Sequence, residues 1–342
     1  MIKVGLVGFG FMGKCHLHNY MRLESEGMPV KVVAICDVDI NKFKGSSNIS
    51  GNINVGEKEY DLTRFNLYND IDEMLKKEEL DIVDITLPTY LHEEVSIKAL
   101  NNGIHVICEK PMALTSDECQ RMIEASEKNN KKLMIAHCLR FWPAYEYLKQ
   151  CVVENRFGKV VSAYFFRGGG TPKWSYQNWL LNKEKSGACL FDQHVHDVDM
   201  INWLFGKPLY VSTIGISILP GKGYDAVSTN YIFDEPKVVN AQDDWTLNGD
   251  FGFEMTYRVN FENGNIVFEK GKVRVNPANE KGFSPELPAE DGYYRELKYF
   301  VNVVLNDIPL DIISPYSAMD TIKILEAEKI SADNNGMLVR VE

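Results

Sequence analysis

The stretch "IKVGLVGFGFMGKCHLHNYMRLE", Ile2 to Glu24, decides the fold. Ile2 to Phe9 is almost wholly apolar, as in a strand buried on both faces. Phe11 to Glu24 reads as a helix. Between them Gly8, Phe9, Gly10, Phe11, Met12 and Gly13 spell G-x-G-x-x-G. Alone that pattern is weak, but between a strand and a helix it has the context of a dinucleotide-binding turn. Gly8 permits the tight turn, Gly10 lets the backbone approach a pyrophosphate, and Gly13 lets the helix pack closely on the strand. The helix N-terminus offers unpaired N–H groups and a positive dipole end to the phosphates. A second apolar run, "VKVVAICD", ends on Asp37, at about the distance expected of the acid that binds the adenosine ribose. A carboxylate there accepts from the ribose diol and repels a 2′-phosphate. No Arg follows in "DVDINK", although Lys42 stands close by. The cofactor expected is NAD, with NADP the less favoured alternative.

Working outward, "LDIVDITLP", "IHVICEKP" and "KKLMIAH" are further apolar strands, separated by the helical stretches "LHEEVSIKALNNG" and "SDECQRMIEASEKNN". Such alternation implies an α/β, doubly wound parallel sheet. The segment from Lys44 to Gly56 is rich in Gly, Ser and Asn and reads as a surface loop. After about residue 137 the pattern changes. "FGKVVSAYFFRG", "PLYVSTIGISIL", "VSTNYIFDE" and "FGFEMTYRVNFENGNIVFEKGKVRV" read as strands meeting in hairpins, with "ENGN" as one turn. Two helices, "YYRELKYFVNVVLND" and "YSAMDTIKILEAEKISADN", and a short strand close the chain. The expected division is a dinucleotide-binding domain over 1–137 and an α+β domain over 138–342.

Composition excludes several functions. A chain of 342 residues suits about two domains. A net charge of −11 argues against nucleic acid as the main partner. No apolar run is long enough to span a bilayer, and the start lacks the layout of a signal peptide. The seven cysteines are scattered without a CxxC pair, which suits reduced packing thiols in the cytoplasm.

"SGACLFDQHVHDVDMINWLFG", Ser186 to Gly206, packs Asp192, His194, His196, Asp197 and Asp199 into eight residues. Three readings compete: a metal site, a set of caps and charge pairs, and an acid/base device. Asp192, His194, His196 and Asp199 suffice in number for zinc, with Cys189 nearby. No second His/Cys group stands at ligand spacing, so no metal is expected.

"GLVGFGFMGKCH", "DITLPTYLH", "CEKPMALT", "RFWPAY" and "GACLFDQHVHDVDMINWLFG" occur in the order found in the Gfo/Idh/MocA oxidoreductases, and the chain resembles that family from residue 2 to about 341. The E-K-P tripeptide and the D-x-x-x-H-x-x-D pattern are the most specific parts. The resemblance implies a Rossmann domain followed by a domain with a large, open, mostly antiparallel sheet. It also implies assembly as a homodimer or homotetramer through that sheet. The activity implied is NAD-dependent oxidation of a secondary hydroxyl of a sugar, sugar acid or cyclitol, or the reverse reduction.

By the same resemblance Lys110 reaches the substrate hydroxyl and the nicotinamide region, and Glu109 is an orienting partner and cofactor contact. Pro111 shapes the turn, with a cis peptide as one possibility. His196 is the expected general acid/base, since an imidazole titrates near neutrality. Asp192 is its relay or substrate partner. Asp199 either orients the imidazole or pairs with a core group. His194 faces the substrate if the segment is extended and packs if the helix starts early. Thr86, Pro88 and His92 wrap the nicotinamide ribose, His92 equally capping the next helix. Arg140, Arg167, Lys173, Trp174 and Trp179 are substrate-side candidates, with ion pairing or packing as the alternative for each. Tyr294 and Arg295 are weaker ones. His16 and His18 read as packing residues. Together the segments describe a split active site, one half bringing NAD and Lys110, the other the proton shuttle. Two other classes compete: a relative that recycles bound NAD through a redox-neutral step such as glycoside cleavage, and a non-catalytic dinucleotide-binding regulator. The presence of both Lys110 and His196 counts against the regulator.

Overall fold

The computed structural model describes residues 1–44 and 60–342. The expected loop therefore lies, beyond Lys44, outside the described residues. The chain forms two compact units. The first comprises Met1–Ala113, Asp117–Cys138 and Gly292–Tyr316; the second comprises Leu114–Ser116, Leu139–Asp291 and Ser317–Glu342.

The first unit runs β1 (Ile2–Val7), α1 (Phe11–Ser25), β2 (Val30–Cys36), β3 (Asn66–Tyr68), α2 (Ile71–Lys77), β4 (Ile82–Ile85), α3 (His92–Asn101), β5 (His105–Glu109), α4 (Ser116–Lys128) and β6 (Leu133–Ala136). Its six strands are all parallel, in the order β3-β2-β1-β4-β5-β6. The order reverses between β1 and β4, and open α/β sheets bind ligands beyond the carboxyl ends of the strands at such a point. β4 and β6 are buried along their whole length, which is why they read as unbroken apolar runs. β3 and α2 carried little signal. β3 has three residues, two of them exposed, and Met74 is the buried residue of α2.

The second unit contains α5 (Pro143–Val153), β7 (Val160–Gly169), α6 (Lys183–Ser186), α7 (Ala188–Asp192), α8 (Val195–Phe205), β8 (Tyr210–Ile216), β9 (Ala226–Ile232), β10 (Val238–Asp244), β11 (Phe253–Phe261), β12 (Gly264–Glu269) and β13 (Lys272–Pro277). α9 (Gly292–Leu305) belongs to the first unit. α10 (Pro315–Asp333) and β14 (Val339–Arg340) complete the second. The eight strands lie in the order β13-β12-β11-β7-β10-β9-β8-β14, antiparallel apart from the parallel pair β7 and β10. β11 and β12 form the hairpin that "ENGN" announces, with Phe261 opposite Gly264.

The sheet is one-sided. Phe165, Arg167, Val239, Ala241, Asp243, Thr229 and Tyr231 alternate inward and are buried. Their neighbours Tyr164, Asn240, Gln242 and Asn230 are half-buried or exposed on the other face. An aromatic cluster holds α5 to the covered face. The Tyr145 ring lies 5.2 Å from Tyr257, Tyr257 stacks on Phe268 at 5.5 Å, and the Tyr257 hydroxyl donates to the Ala144 carbonyl at 2.7 Å. Each such buried ring contributes about 1.5–3 kcal/mol through removal of apolar surface from water.

One boundary differs from the sequence reading, which gave everything after 137 to the second domain. α9 packs on α1. It buries Tyr294, Leu297, Phe300 and Val301. The Arg22 guanidinium lies 4.1 Å from the centre of the Tyr294 ring, and the Tyr294 hydroxyl donates to Glu26. Tyr294 is thereby a packing residue of the first unit. Among the described residues no helix is long and apolar enough to cross a membrane. All seven cysteines are buried.

Candidate active site

The carboxyl edge of the parallel sheet gathers the first group of residues. Gly8 has φ +96°, and a Cβ there would meet the Thr86 carbonyl oxygen at 2.6 Å. A Cβ on Gly13 would lie 2.0 Å from the Gly8 oxygen. Both glycines are required by close approach. A Cβ on Gly10 would meet nothing within 4 Å. That leaves open ground at the N-terminus of α1, where no side chain caps the helix N–H groups. The Thr86 hydroxyl braces the turn by donating to the Gly8 oxygen at 2.6 Å. Asp37 is buried just past β2. It accepts from the Phe9 N–H at 2.7 Å, from the Asp39 N–H at 2.9 Å and from the Lys42 ammonium at 2.7 Å. The Lys42 ammonium is thus tied to Asp37. Open backbone at Gly10, uncapped N–H groups and a fixed carboxylate after β2 suit a dinucleotide.

Glu109 and Lys110 follow at the end of β5. The Lys110–Pro111 peptide is cis. Lys110 is half-buried, while Glu109 is buried. One Glu109 oxygen accepts from the Lys110 N–H at 3.1 Å. The other lies 3.1 Å from His16 Nε2, and His16 Nδ1 lies 2.9 Å from Asp84. His16 is thus more than packing: its imidazole sits between two buried carboxylates. Burial alone would lower its proton affinity, but Asp84 and Glu109 outweigh burial and hold it well above the usual range. Burial works to raise Glu109, and the hydrogen bond and charge of His16, with the charge of Lys110, keep it below its ordinary value. Among the described residues, donor atoms close enough to share an ion are those of His16, Glu109 and Glu296, within 4.8 Å of one another. His92, at the start of α3, spans two carbonyl oxygens, with one ring nitrogen 2.8 Å from Leu87 and the other 2.8 Å from Pro111. Burial lowers its proton affinity against the pull of those carbonyls.

In the second unit, α7 ends at Asp192 and α8 starts at Val195, with His194 as its N-cap residue. The helix starts early, and of the two orientations open to His194 the buried one occurs. Its Nδ1 lies 2.5 Å from Asp243, its Nε2 lies 3.1 Å from Glu328, and all three side chains are fully buried. Burial opposes the imidazolium, yet Glu328 and Asp243 raise it to about 10. Asp243 is itself raised to about 7, chiefly by burial, since it and Glu328 share one imidazolium and Asp197 adds a like charge. Asp197 takes a two-pronged pair with Arg167, at 2.9 and 3.1 Å. Asp199 takes another with Arg140, at 2.9 and 2.8 Å, and accepts from Thr321 at 3.0 Å. Three of the five ionisable residues of the cluster are therefore buried clamps joining α8 to β10, α10, β7 and the segment before α5. Asp192 and His196 alone of the five are half-buried.

These contacts revise several expectations. Arg140 is 1% exposed and Arg167 3%; each is committed to a carboxylate of α8 rather than open to a small molecule. His194 has the same kind of employment. Trp179 packs against Leu180, Ala188, Cys189 and Trp245, and Trp174 is half-buried. Pro88 caps a short 3₁₀ turn, Thr89–Leu91, ahead of α3. Asp84, Asp243 and Glu328 escaped the sequence reading. Asp84 did carry a signal, as a charged residue inside the apolar run "DIVDITLP". Asp243 and Glu328 each follow the burial period of their own element, which marks them once the element is known.

Two family models match the chain in succession. Residues 2–137 match that of the oxidoreductase family with an NAD-binding Rossmann fold, and residues 145–267 match the GFO/IDH/MocA C-terminal domain. A 2,7-anhydro-N-acetylneuraminate hydratase of Escherichia coli is 29% identical over 216 residues, 63% of this chain and 53% of that protein. A levoglucosan dehydrogenase of Pseudarthrobacter phenanthrenivorans is 29% identical over 292 residues, 78% of this chain and 70% of that one. The chain spans about half the length of several curated relatives it matches. A solved structure of levoglucosan dehydrogenase with NADH and levoglucosan shares the fold, with a TM-score of 0.84 at 21% identity, over 99% of both chains. The order of the two sheets, the glycine turn and the successive family matches place the chain in the Gfo/Idh/MocA family of oxidoreductases, its first unit being that family's NAD-binding Rossmann fold.

Proposed function

We propose that the protein is an NAD-dependent dehydrogenase that oxidises a secondary hydroxyl of a sugar, sugar acid or cyclitol, or runs the reverse reduction. Bound NAD supplies the acceptor or donor of a hydride. Gly8 to Gly13 and the start of α1 receive the pyrophosphate, and Asp37 receives the ribose. Lys110 donates to the substrate oxygen and stabilises the negative charge that develops there. His196 takes or returns the hydroxyl proton, and Asp192 binds a neighbouring hydroxyl or relays that proton. One observation supports the choice of His196 and Asp192: both are half-buried, whereas His194, Asp197 and Asp199 are buried. The reading includes a cytoplasmic setting and self-association through the outer face of the large sheet, where Ile214, Ile216 and Val238 are exposed.

The test is NADH formation by the wild type, Lys110→Ala and His196→Ala. The substrates are levoglucosan, myo-inositol and a panel of aldoses and uronates. Each variant should lose about 10²–10⁴-fold in turnover; near-wild-type turnover in either removes its assigned role. A redox-neutral reaction is favoured by one finding, the hydratase among the relatives. Product formation from an anhydro sugar without net NADH, on cofactor that stays bound through purification, would select it.

A further inference from the structure

We propose that His16 and His92 are positioning residues that bracket Lys110, His16 acting through Glu109 on one side and His92 through the Pro111 carbonyl on the other. The inference rests on the reading of Lys110 as the donor to the substrate oxygen. Lys110 sits at the end of β5, where the strand no longer fixes its backbone. Two lines of contact replace the sheet. On one side Asp84 of β4 faces His16 Nδ1 at 2.9 Å, His16 Nε2 faces Glu109 Oε1 at 3.1 Å, and Glu109 Oε2 accepts the Lys110 N–H at 3.1 Å. On the other, His92 lies 2.8 Å from the Pro111 oxygen and 2.8 Å from the Leu87 oxygen, and so ties the segment after β5 to the segment after β4.

Both imidazoles are buried, at 0% and 1% exposure, so neither line is diluted by water. His16 lies on α1, the helix whose N-terminus meets the glycine turn. The groups that hold the lysine and those that hold the dinucleotide therefore share one rigid piece. Asp84, Glu109 and Glu296 carry the negative charge around His16, with Tyr20 beside Asp84. A ring that only filled space would need neither carboxylate. The hydrogen bond of Nδ1 with Asp84 sets the rotation of the imidazole, and the ion-pair contact at Nε2 then draws the Glu109 carboxylate to the place where it accepts the Lys110 N–H. A misplacement of about 1 Å in such a group costs about 10²-fold in rate.

The first readout requires no substrate. The NADH-loaded full chain is trace-labelled with acetic anhydride, and Lys110 acetylation is read by peptide mass spectrometry against Lys98 and Lys149. His16→Ala and His92→Ala should each change that ratio about threefold or more, because the contacts that fix the backbone carrying the side chain are lost. Glu109→Gln keeps an acceptor for the Lys110 N–H and should return the ratio toward wild type, whereas Glu109→Ala should not. An unchanged Lys110 ratio in folded His16→Ala and His92→Ala overturns the proposal, as does an equal shift at every lysine. If His16→Ala does not fold, Asp84→Asn tests the same line with a nearly isosteric change, under the same criterion.

The second readout is kinetic. With a substrate that wild type turns over, His16→Ala and His92→Ala should lower kcat about 10²-fold with KM for NAD changed little. A rise in that KM with kcat retained would assign them to cofactor binding instead. Lys110→Ala runs beside them. Full turnover in that variant removes the catalytic reading of Lys110, while the labelling ratios still decide whether the two histidines hold it.

Discussion

Replacing His194 by alanine removes the imidazolium that Asp243 and Glu328 share, and the structure gives the expected cost. All three groups are fully buried, so the two carboxylates left behind cannot recover hydration. Breaking a buried pair by removing one partner costs about 3–5 kcal/mol, and a unit of this size loses about 2–4 °C of melting temperature per kcal/mol. The second unit should therefore melt roughly 6–20 °C lower near pH 7. The pH dependence is more telling. In the wild type His194 is raised from 6.5 to about 10 and Asp243 from 3.8 to about 7. Each shift means that the folded state holds more protons than the unfolded chain. Stability from Asp243 is thus lost as pH rises from about 4 to about 7, and stability from His194 from about 6.5 to about 10. In the variant Asp243, already raised in the wild type, relieves the repulsion by taking up a proton toward pH 5. Toward pH 10 the wild type loses its own imidazolium. The deficit between the two proteins should peak near neutrality and narrow on both sides. Scanning calorimetry at pH 5, 7 and 9.5 measures it. A deficit below about 1 kcal/mol at pH 7, less than even a single unsatisfied buried group costs, or one constant across the three, would refute the account of the cluster.

Arg140→Lys keeps the charge but cannot form both contacts to Asp199, and should cost about 1–3 kcal/mol in a urea melt; a neutral result would mean that the fork geometry is immaterial. Gly13→Ala places a methyl 2.0 Å from the Gly8 oxygen and should abolish measurable NADH binding by fluorescence titration while the second unit melts as before. Asp37→Ser removes the acceptor of the ribose diol and the partner of Lys42. NADH affinity should fall by about tenfold or more, and NADPH should gain relative to it; an unchanged NADH/NADPH ratio would separate Asp37 from cofactor choice.

The parallel sheet was legible because buried strands leave continuous apolar runs and the glycine turn has few alternatives. β3 and α2 were not, since each is short and mostly exposed and writes no period into the sequence. α10 shows what pattern alone withholds. Its helical period was plain, yet that Glu328 on its buried face meets His194 depends on a pairing more than a hundred positions apart. The same limit explains Arg140 and Arg167. An arginine near a cluster of acids reads equally as a ligand for substrate or as a partner for those acids, and burial decides it. His16 was read as packing because a helix interior accepts histidine without comment. Asp84, in the midst of an apolar strand, was the residue that told otherwise.

The placement of α9 with the first unit has a consequence for how the protein is made. α9 covers α1, but it is synthesised some 270 residues after α1 in a chain that has meanwhile produced most of the second unit. An N-terminal domain followed simply by another completes its core early, domain by domain as the chain emerges. Here the α1 surface that receives Tyr294, Leu297 and Phe300 waits uncovered until α9 itself has been translated. A fragment ending at residue 137 would carry the whole glycine turn and all six parallel strands. It would still lack its last wall, and a chaperone holding the nascent chain would have that apolar face to grip throughout.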